Sequence, residues 1–161
     1  MSFSENLPLH KLNWHALQYA LYIKCLVQRK IRSNLFKNSK KIYPPCVAVI
    51  QADQCGNINY GYAGKYLVEP KSFYYPLSKE LKKIGGVGNN PLKISSKIGN
   101  CAETAACNSL LNDCNKCKFK TIGKEPLLDF KRFKLSSAYR PRTAEWIKRC
   151  EYCCQIFGDE N

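Results

Sequence analysis

The sequence predicts a single α/β domain spanning residues 1–161, built from helices and a small sheet. Apolar side chains recur every three or four positions in residues 12–33, which is typical of an amphipathic helix. Residues 46–50 form an apolar run and residues 58–68 carry tyrosines at even spacing, which together predict a two-stranded hairpin. Alanines and leucines at helical spacing predict the next helix over residues 101–114. A 45% apolar content is enough for one core of ordinary size.

The first helix carries large apolar side chains on one side and ends in a basic run. Trp14, Leu17, Leu21 and Cys25 lie at spacings of three and four, so we expect them in the core. Residues 24–41 then contain seven Lys and Arg residues and no Asp or Glu. Such a run is either a solvated helix end, since cations suit a helix C-terminus, or a flank that faces phosphates.

Two further elements are expected after the second helix. An imperfect alternation of apolar and basic residues predicts a third strand over residues 130–139. Residues 150–157 predict a short helix. Its first turn holds Cys150 and Cys153 on one face, because residues three apart are neighbours on a helix.

The chain is strongly basic. It contains 26 Lys and Arg residues against 12 Asp and Glu residues, a net charge of +14 with a pI near 9.4. A surplus of this size attracts polyanions, so nucleic acid is the leading partner class. The alternative is a basic surface that serves solubility alone.

The ten cysteines and the N-terminus bear on the compartment. An even cysteine count suits a disulfide scaffold, but a chain with a core and no apolar leader does not need such crosslinks. We expect reduced thiols, some of them bound to metal. The sequence has neither a signal-peptide h-region nor an apolar run of the roughly 20 residues that span a bilayer. The expected location is the cytoplasm, or a target cell's cytosol after delivery by a dedicated secretion machine.

Four residues in two short motifs carry the predicted chemistry. Cys101 is followed two residues later by Glu103, and Cys150 and Cys153 form a Cys-x-x-Cys pair. Catalytic zinc needs such a set: thiolates hold the ion, an open fourth position carries water, and a carboxylate outside the coordination shell moves protons. The sequence therefore predicts Zn²⁺ as the cofactor.

The Gly-Asn-Cys-Ala-Glu stretch at 99–103 and the Cys-x-x-Cys pair at 150–153 resemble the cytidine deaminase-like superfamily, in particular its bacterial toxin-type, YwqJ-like group. The resemblance covers roughly residues 40–157, with the zinc-site core at about 44–157. It implies a three-layer α-β-α fold with a small mixed sheet. It also implies that Cys101, Cys150 and Cys153 are metal ligands and that Glu103 is the proton shuttle of a hydrolytic deaminase. A toxin of this type would have an immunity protein as a partner.

The sequence departs from the family in two places. Arg149 stands where the family usually has proline before the Cys-x-x-Cys pair. The family's sheet also continues after that helix, whereas here the expected sheet is abbreviated at its C-terminal side. An abbreviated sheet leaves an open edge, through which we expect self-association.

The net charge indicates the class of substrate more clearly than the cysteine motif does. A basic surface suits a polymer whose target base is unpaired, so the expected substrate is single-stranded DNA or RNA, with cytosine as the base by family habit. Tyr139 is the candidate for stacking on the base, against an equal expectation that it is a core-edge aromatic. Arg140 and Arg142 are candidates for holding phosphates, and Asn57, in the turn before the second strand, is the fourth substrate-binding candidate.

Other functions remain open at this level. Cys114 and Cys117 form a second Cys-x-x-Cys pair, and 32 residues lie between Cys117 and Cys150. The two pairs could close a structural four-cysteine zinc site in a nucleic-acid-binding module. That arrangement leaves Cys101 and Glu103 without a role. A free-nucleoside deaminase and a deaminase-like fold without activity are the remaining alternatives.

Overall fold

In the part of the chain that the structure describes, four helices surround a small antiparallel sheet. The computed structural model describes residues 6–35, 37, 42–52, 55–64, 73–114, 121–122, 125–126 and 129–160. In chain order the elements are α1 (Leu9–Arg32), β1 (Val47–Gln51), β2 (Ile58–Tyr62), α2 (Tyr75–Lys83), α3 (Ala102–Asp113), β3 (Thr121–Ile122), β4 (Glu125–Pro126), a 3₁₀ turn (Phe130–Arg132), β5 (Lys134–Leu135), β6 (Ala138–Tyr139), β7 (Trp146–Ile147) and α4 (Glu151–Phe157). None of the helices in these ranges is long and apolar enough to cross a bilayer.

The main sheet has five strands in the order β2-β1-β6-β7, with β5 also paired to β1. Every one of these pairs is antiparallel. The mixed sheet expected from the family resemblance is therefore wrong for the described strands. Parallel neighbours need a crossover of about a dozen residues or more, whereas β7 returns beside β6 through a tight turn in which Arg140 N–H donates to Glu145 O.

The predicted third strand is broken into three pieces. Residues Phe130–Arg132 form a 3₁₀ turn, whose start is capped by the Asp129 side chain accepting from Lys131 N–H. Ser136 lies between β5 and β6, which both pair with β1. Its backbone N–H donates to Val49 O at 2.9 Å, and its Oγ accepts the N–H of Val49 at 2.8 Å. A side-chain oxygen thus takes the place of a backbone acceptor for Val49, and the segment bends where alternation alone predicts a straight strand.

β1 lies between helices on both faces of the sheet, and all five of its residues are buried. Successive side chains of a strand point to opposite faces. Val49 packs against Leu12 and Ala16 of α1, whereas Ala48 packs against Ala102 of α3. The apolar run at residues 46–50, predicted as the first strand of the hairpin, is thus a strand that the fold covers on both faces.

Gly61 allows α3 to lie directly on the backbone of β2. A Cβ atom built at Gly61 would come within 2.1 Å of Ala106 N and 2.5 Å of Ala102 O. Only glycine in the strand and small residues in the helix permit this approach. It positions the first turn of α3, and with it Cys101 and Glu103, against the sheet.

The helix predicted over 12–33 is present as α1, but it turns a different face to the core. Its buried residues are Leu12, Ala16, Ala20 and Val27. Trp14 is 58% exposed, and Leu21 and Cys25 are exposed as well, so the predicted core face is wrong. Leu12 and Ala16 of the buried face pack against Val49 of β1.

Candidate metal centre

Three cysteine thiols, which lie at the N-terminal ends of α3 and α4, come close together. The Sγ atoms of Cys101, Cys150 and Cys153 all lie within 4.8 Å of one another, and those of Cys101 and Cys150 are 2.8 Å apart. Within the described ranges this is the only group of three or more Cys, His, Asp or Glu side chains close enough to share an ion. The three residues predicted as ligands are thus brought together by the fold.

Two of the three thiols stand at helix N-cap positions. Cys101 is the N-cap of α3 and Cys150 the N-cap of α4, and both have extended backbone conformations. At an N-cap the side chain faces the unpaired N–H groups of the first helical turn. Hydrogen bonds from the Cys101 and Cys153 thiols, followed by the backbone N–H groups of Cys153 and Tyr152, lower the pKa of Cys150. A thiolate is therefore favoured at Cys150 even before an ion binds.

Glu103 lies beside the thiols inside the protein. Its side chain is 3% exposed, and its Oε2 is 3.9 Å from Cys153 Sγ. Burial is the main cause that raises its pKa from 4.5 to about 7, and the nearby Arg149 guanidinium partly opposes this rise. A carboxyl group with such a pKa can both accept and release a proton near neutral pH.

Arg149 is a buried cation at the same site. Its Nη1 donates to Gly158 O at 2.9 Å, and its backbone N–H donates to Glu160 Oε2 at 3.0 Å. These contacts tie the segment before α4 to the residues after it. Arg149 thus has structural partners of its own.

A cavity of about 290 Å³ opens onto the three-cysteine cluster. One wall is formed by Cys101, Glu103 and Cys150. The other polar side chains that line it are Ser95, Ser96, Asn100, Arg140 and Lys148. Its volume is close to the lower end for small-molecule sites, which suits a single heterocyclic ring.

Of the four predicted substrate-binding residues, only Arg140 lines this cavity. Arg142 is exposed in the turn that leads to β7. Tyr139 packs with Leu12, Ala16 and Val49 on the α1 face of the sheet. Because adjacent strand residues face opposite ways, Ala138 lines the cavity and Tyr139 cannot, which corrects the expectation that Tyr139 stacks over the site.

Asn57 lies far from the cavity. Its Nδ2 donates to Cys114 Sγ at 3.0 Å. Cys114 is the C-cap of α3, about 20 Å along the helix from the N-cap Cys101. The structure therefore does not place Asn57 in the site where the sequence interpretation put it.

A similar distance separates Cys114 from the Cys150–Cys153 pair, which lies beside Cys101. Cys150 and Cys153 join Cys101, whereas Cys114 Sγ lies 3.4 Å from Cys55 Sγ at the opposite end of α3. Cys117, the fourth residue of the alternative structural site, lies outside the described residues. The described geometry favours the three-cysteine centre over the four-cysteine site.

Several lining residues were missed by sequence reasoning. Asn100 immediately precedes a predicted ligand and Lys148 stands two residues before another, so proximity to the motifs was the available signal. Cys46 had no such signal, because only the fold brings it to the cavity. Burial, followed by the Glu103 carboxylate, raises the pKa of the Cys46 thiol to about 12.

No protein-family model matches the chain, and no curated protein or solved structure matches it.

Proposed function

We propose that the protein is a zinc-dependent hydrolytic deaminase of the cytidine deaminase-like superfamily, with a base in single-stranded nucleic acid as its substrate. The observation that carries the proposal is the buried Glu103 beside three convergent thiols at the wall of a ring-sized cavity. The placement of α1 and α3 on opposite faces of the sheet supports the three-layer fold of that superfamily.

The donor set suits zinc. Thiolates are soft ligands that favour Zn²⁺, and three protein ligands leave the fourth tetrahedral position open, as in catalytic sites. Cys101, Cys150 and Cys153 would hold the ion. Three thiolates and one Zn²⁺ carry a net charge of −1, which the buried Arg149 guanidinium would offset. When bound, zinc lowers the pKa of water at its open position toward neutrality.

The protein groups then have defined tasks in the reaction. The oxygen of water adds to the amine-bearing carbon of the base, and ammonia leaves from that carbon. Glu103 takes one proton from the water and gives it to the adjacent ring nitrogen, and it then transfers the second proton to the departing amine. Cytosine and water thus yield uracil and ammonia without an oxidant or a reductant. The depth of Glu103 keeps this proton transfer away from bulk solvent.

The surroundings of the cavity favour a polymeric substrate. Arg140 and Lys148 are exposed cations at its lining, where a strand's phosphates would pass. A cavity of this size accepts one base, so the target must be unpaired or flipped out. The net charge of +14 favours association with such a strand.

The test is to incubate purified protein with single-stranded DNA and RNA and to sequence the products. We expect one class of base to be converted by the wild-type protein, and conversion to fall by at least about a thousandfold in Glu103→Gln, since general acid–base catalysis alone contributes up to about 10⁴-fold. The Glu103→Gln protein should keep its zinc. Glu151→Gln, which alters an exposed acid in the first turn of α4, is the matched control and should keep full activity. Equal activity of Glu103→Gln and wild type would exclude the mechanism.

A further inference from the structure

Four tyrosines meet on the side of the sheet opposite the metal centre. Tyr19 and Tyr22 come from α1, and Tyr60 and Tyr62 come from β2. The ring centroids of Tyr19 and Tyr60 are 4.8 Å apart at an interplanar angle of 51°. Tyr22 is 59% exposed and Tyr60 37% exposed, so two of the four rings reach the surface. We call this group the tyrosine surface.

The strand register explains how the group forms. Tyr60 pairs with Val49, whose side chain packs on α1, so Tyr60 and its neighbour but one, Tyr62, face α1 as well. On α1, Tyr19 and Tyr22 are three residues apart and share a face. Burial, and then the nearby phenol groups of Tyr62, Tyr22 and Tyr60, raise the pKa of Tyr19, as expected where four hydroxyl-bearing rings converge.

Along the described part of α1, the charges beside the tyrosine surface have one sign. The 24 residues of α1 include no Asp or Glu, and its last turn holds Arg29, Lys30 and Arg32. Arg29 follows Tyr22 by seven residues, which places it two turns further along the same face, and it is exposed. Asp113 is hydrogen-bonded to Asn59, a strand residue that alternates to the other face of the sheet. A second copy of the chain would bring like charges together here, whereas a polyanion would be attracted.

We propose that the tyrosine surface is a second binding site for single-stranded nucleic acid, in which unpaired bases stack on Tyr22 and Tyr60 while Arg29 contacts the backbone phosphate. Adjacent aromatic rings beside a cationic track form the usual platform for an unpaired strand, because every base offers a flat face. The site lies across the sheet from the cavity and holds the polymer rather than the reacting base. Its role as an anchor for substrate rests on the proposed deaminase function, but the binding itself does not.

The test measures the affinity of the full chain for a fluorescent single-stranded DNA of about 20 nucleotides, a length that exceeds the site of a single stacking domain. Fluorescence anisotropy should show affinity about tenfold lower in Tyr22→Ala and in Tyr60→Ala, in line with the loss of one base stack. Tyr22→Phe keeps the ring and should bind as wild type does. Arg29→Gln should weaken binding and reduce the slope of log affinity against log salt by about 1.

Tyr75→Ala is the matched control. This tyrosine is 65% exposed on α2, so its replacement removes a comparable ring from a different surface and should leave affinity unchanged. Unchanged affinity in both Tyr22→Ala and Tyr60→Ala would overturn the proposal and point to a protein as the occupant of this face. A loss of affinity in Tyr75→Ala as large as that in Tyr22→Ala would overturn it too. So would a duplex probe that binds the wild-type protein as tightly as the single strand and loses as much affinity in the tyrosine variants.

The two proposals fail separately. If Glu103→Gln abolishes deamination while the tyrosine variants bind normally, the deaminase stands and the second site does not. If no base is converted but Tyr22→Ala still weakens binding, the second site stands without the enzyme.

Discussion

The Sγ atoms of Cys101 and Cys150 lie 2.8 Å apart although 49 residues separate them in the chain. Each residue is the N-cap of a helix, so α3 and α4 begin at the same point. A site built on two helix starts is held by regular secondary structure, and this favours a well-ordered set of ligands.

Removing one thiol of the centre should release the metal. We expect about one zinc per chain in the wild-type protein and less than about 0.1 in Cys101→Ser or Cys153→Ser, because two remaining ligands bind zinc weakly. Mass spectrometric metal analysis after dialysis measures this. Cys114→Ser is the control and should retain its zinc at the three-cysteine centre, because Cys114 lies at the other end of α3. Zinc lost from Cys114→Ser but kept in Cys101→Ser would instead support the four-cysteine site.

Metal removal should also lower thermal stability. Zinc that binds only the folded chain stabilises it by mass action, about 4 kcal/mol at a free concentration a thousandfold above the dissociation constant. For a domain of this size, chelation should lower the melting temperature by about 10 °C. Differential scanning fluorimetry with and without a chelator measures the shift. Cys101→Ser should show no shift on chelation, and a shift equal to that of the wild type would contradict the assignment.

Gly61→Ala should be strongly destabilising. The added methyl group would meet backbone atoms of α3 at 2.1 and 2.5 Å, and backbone cannot rotate away as a side chain can. We expect a loss of about 3 kcal/mol or more in the free energy of unfolding, the upper end for overpacking. Urea denaturation measures it. Gly88→Ala is the control, because its methyl group meets nothing within 4 Å. The left-handed backbone at Gly88 should reduce the free energy of unfolding by only about 1 kcal/mol. Equal losses in the two variants would show that α3 does not lie against β2 as described.

Arg149→Met should destabilise the protein more than Arg142→Met. The guanidinium of Arg149 is buried and donates to Gly158 O, so its loss leaves a carbonyl without that donor and removes the cation that opposes the raised pKa of Glu103. We expect a cost of about 2–4 kcal/mol, against less than about 0.5 kcal/mol for the exposed Arg142. Urea denaturation of both variants provides the comparison, and similar values would mean that the contacts of Arg149 contribute little.

Cys46 should resist alkylation although it lines the cavity. Its pKa of about 12 keeps the thiol protonated at pH 8, and the thiolate is the nucleophile. The rate with iodoacetamide should rise about tenfold per pH unit between pH 8 and 10, because the thiolate fraction rises by that factor well below the pKa. Peptide mass spectrometry follows it, with the exposed Cys25 as the internal reference. Glu103→Gln removes a charge that raises the pKa of Cys46 and should therefore speed its alkylation. An unchanged rate would show that the Glu103 carboxylate does not act on the Cys46 thiol.

Periodicity predicted the existence of elements better than their orientation. The helical spacing of residues 12–33 correctly indicates α1, but the same spacing is compatible with more than one buried face. Leu12 and Ala16 lie inside, packed on Val49 of β1, whereas Trp14 lies outside. The partner strand decides which face is buried, and that information is absent from the helix's own sequence.

The candidate centre divides in the same way. The sequence alone determines that there are three soft ligands, a carboxylate two positions after the first of them, and a surplus of basic residues. It also determines that helices begin at Cys101 and Cys150. These features depend on side-chain chemistry and local backbone preference. Only the tertiary structure decides which Cys-x-x-Cys pair meets Cys101, that Tyr139 and Asn57 lie elsewhere, and that Cys46 and Lys148 line the cavity. Such choices depend on strand register and helix packing, through which residues far apart in the chain become neighbours.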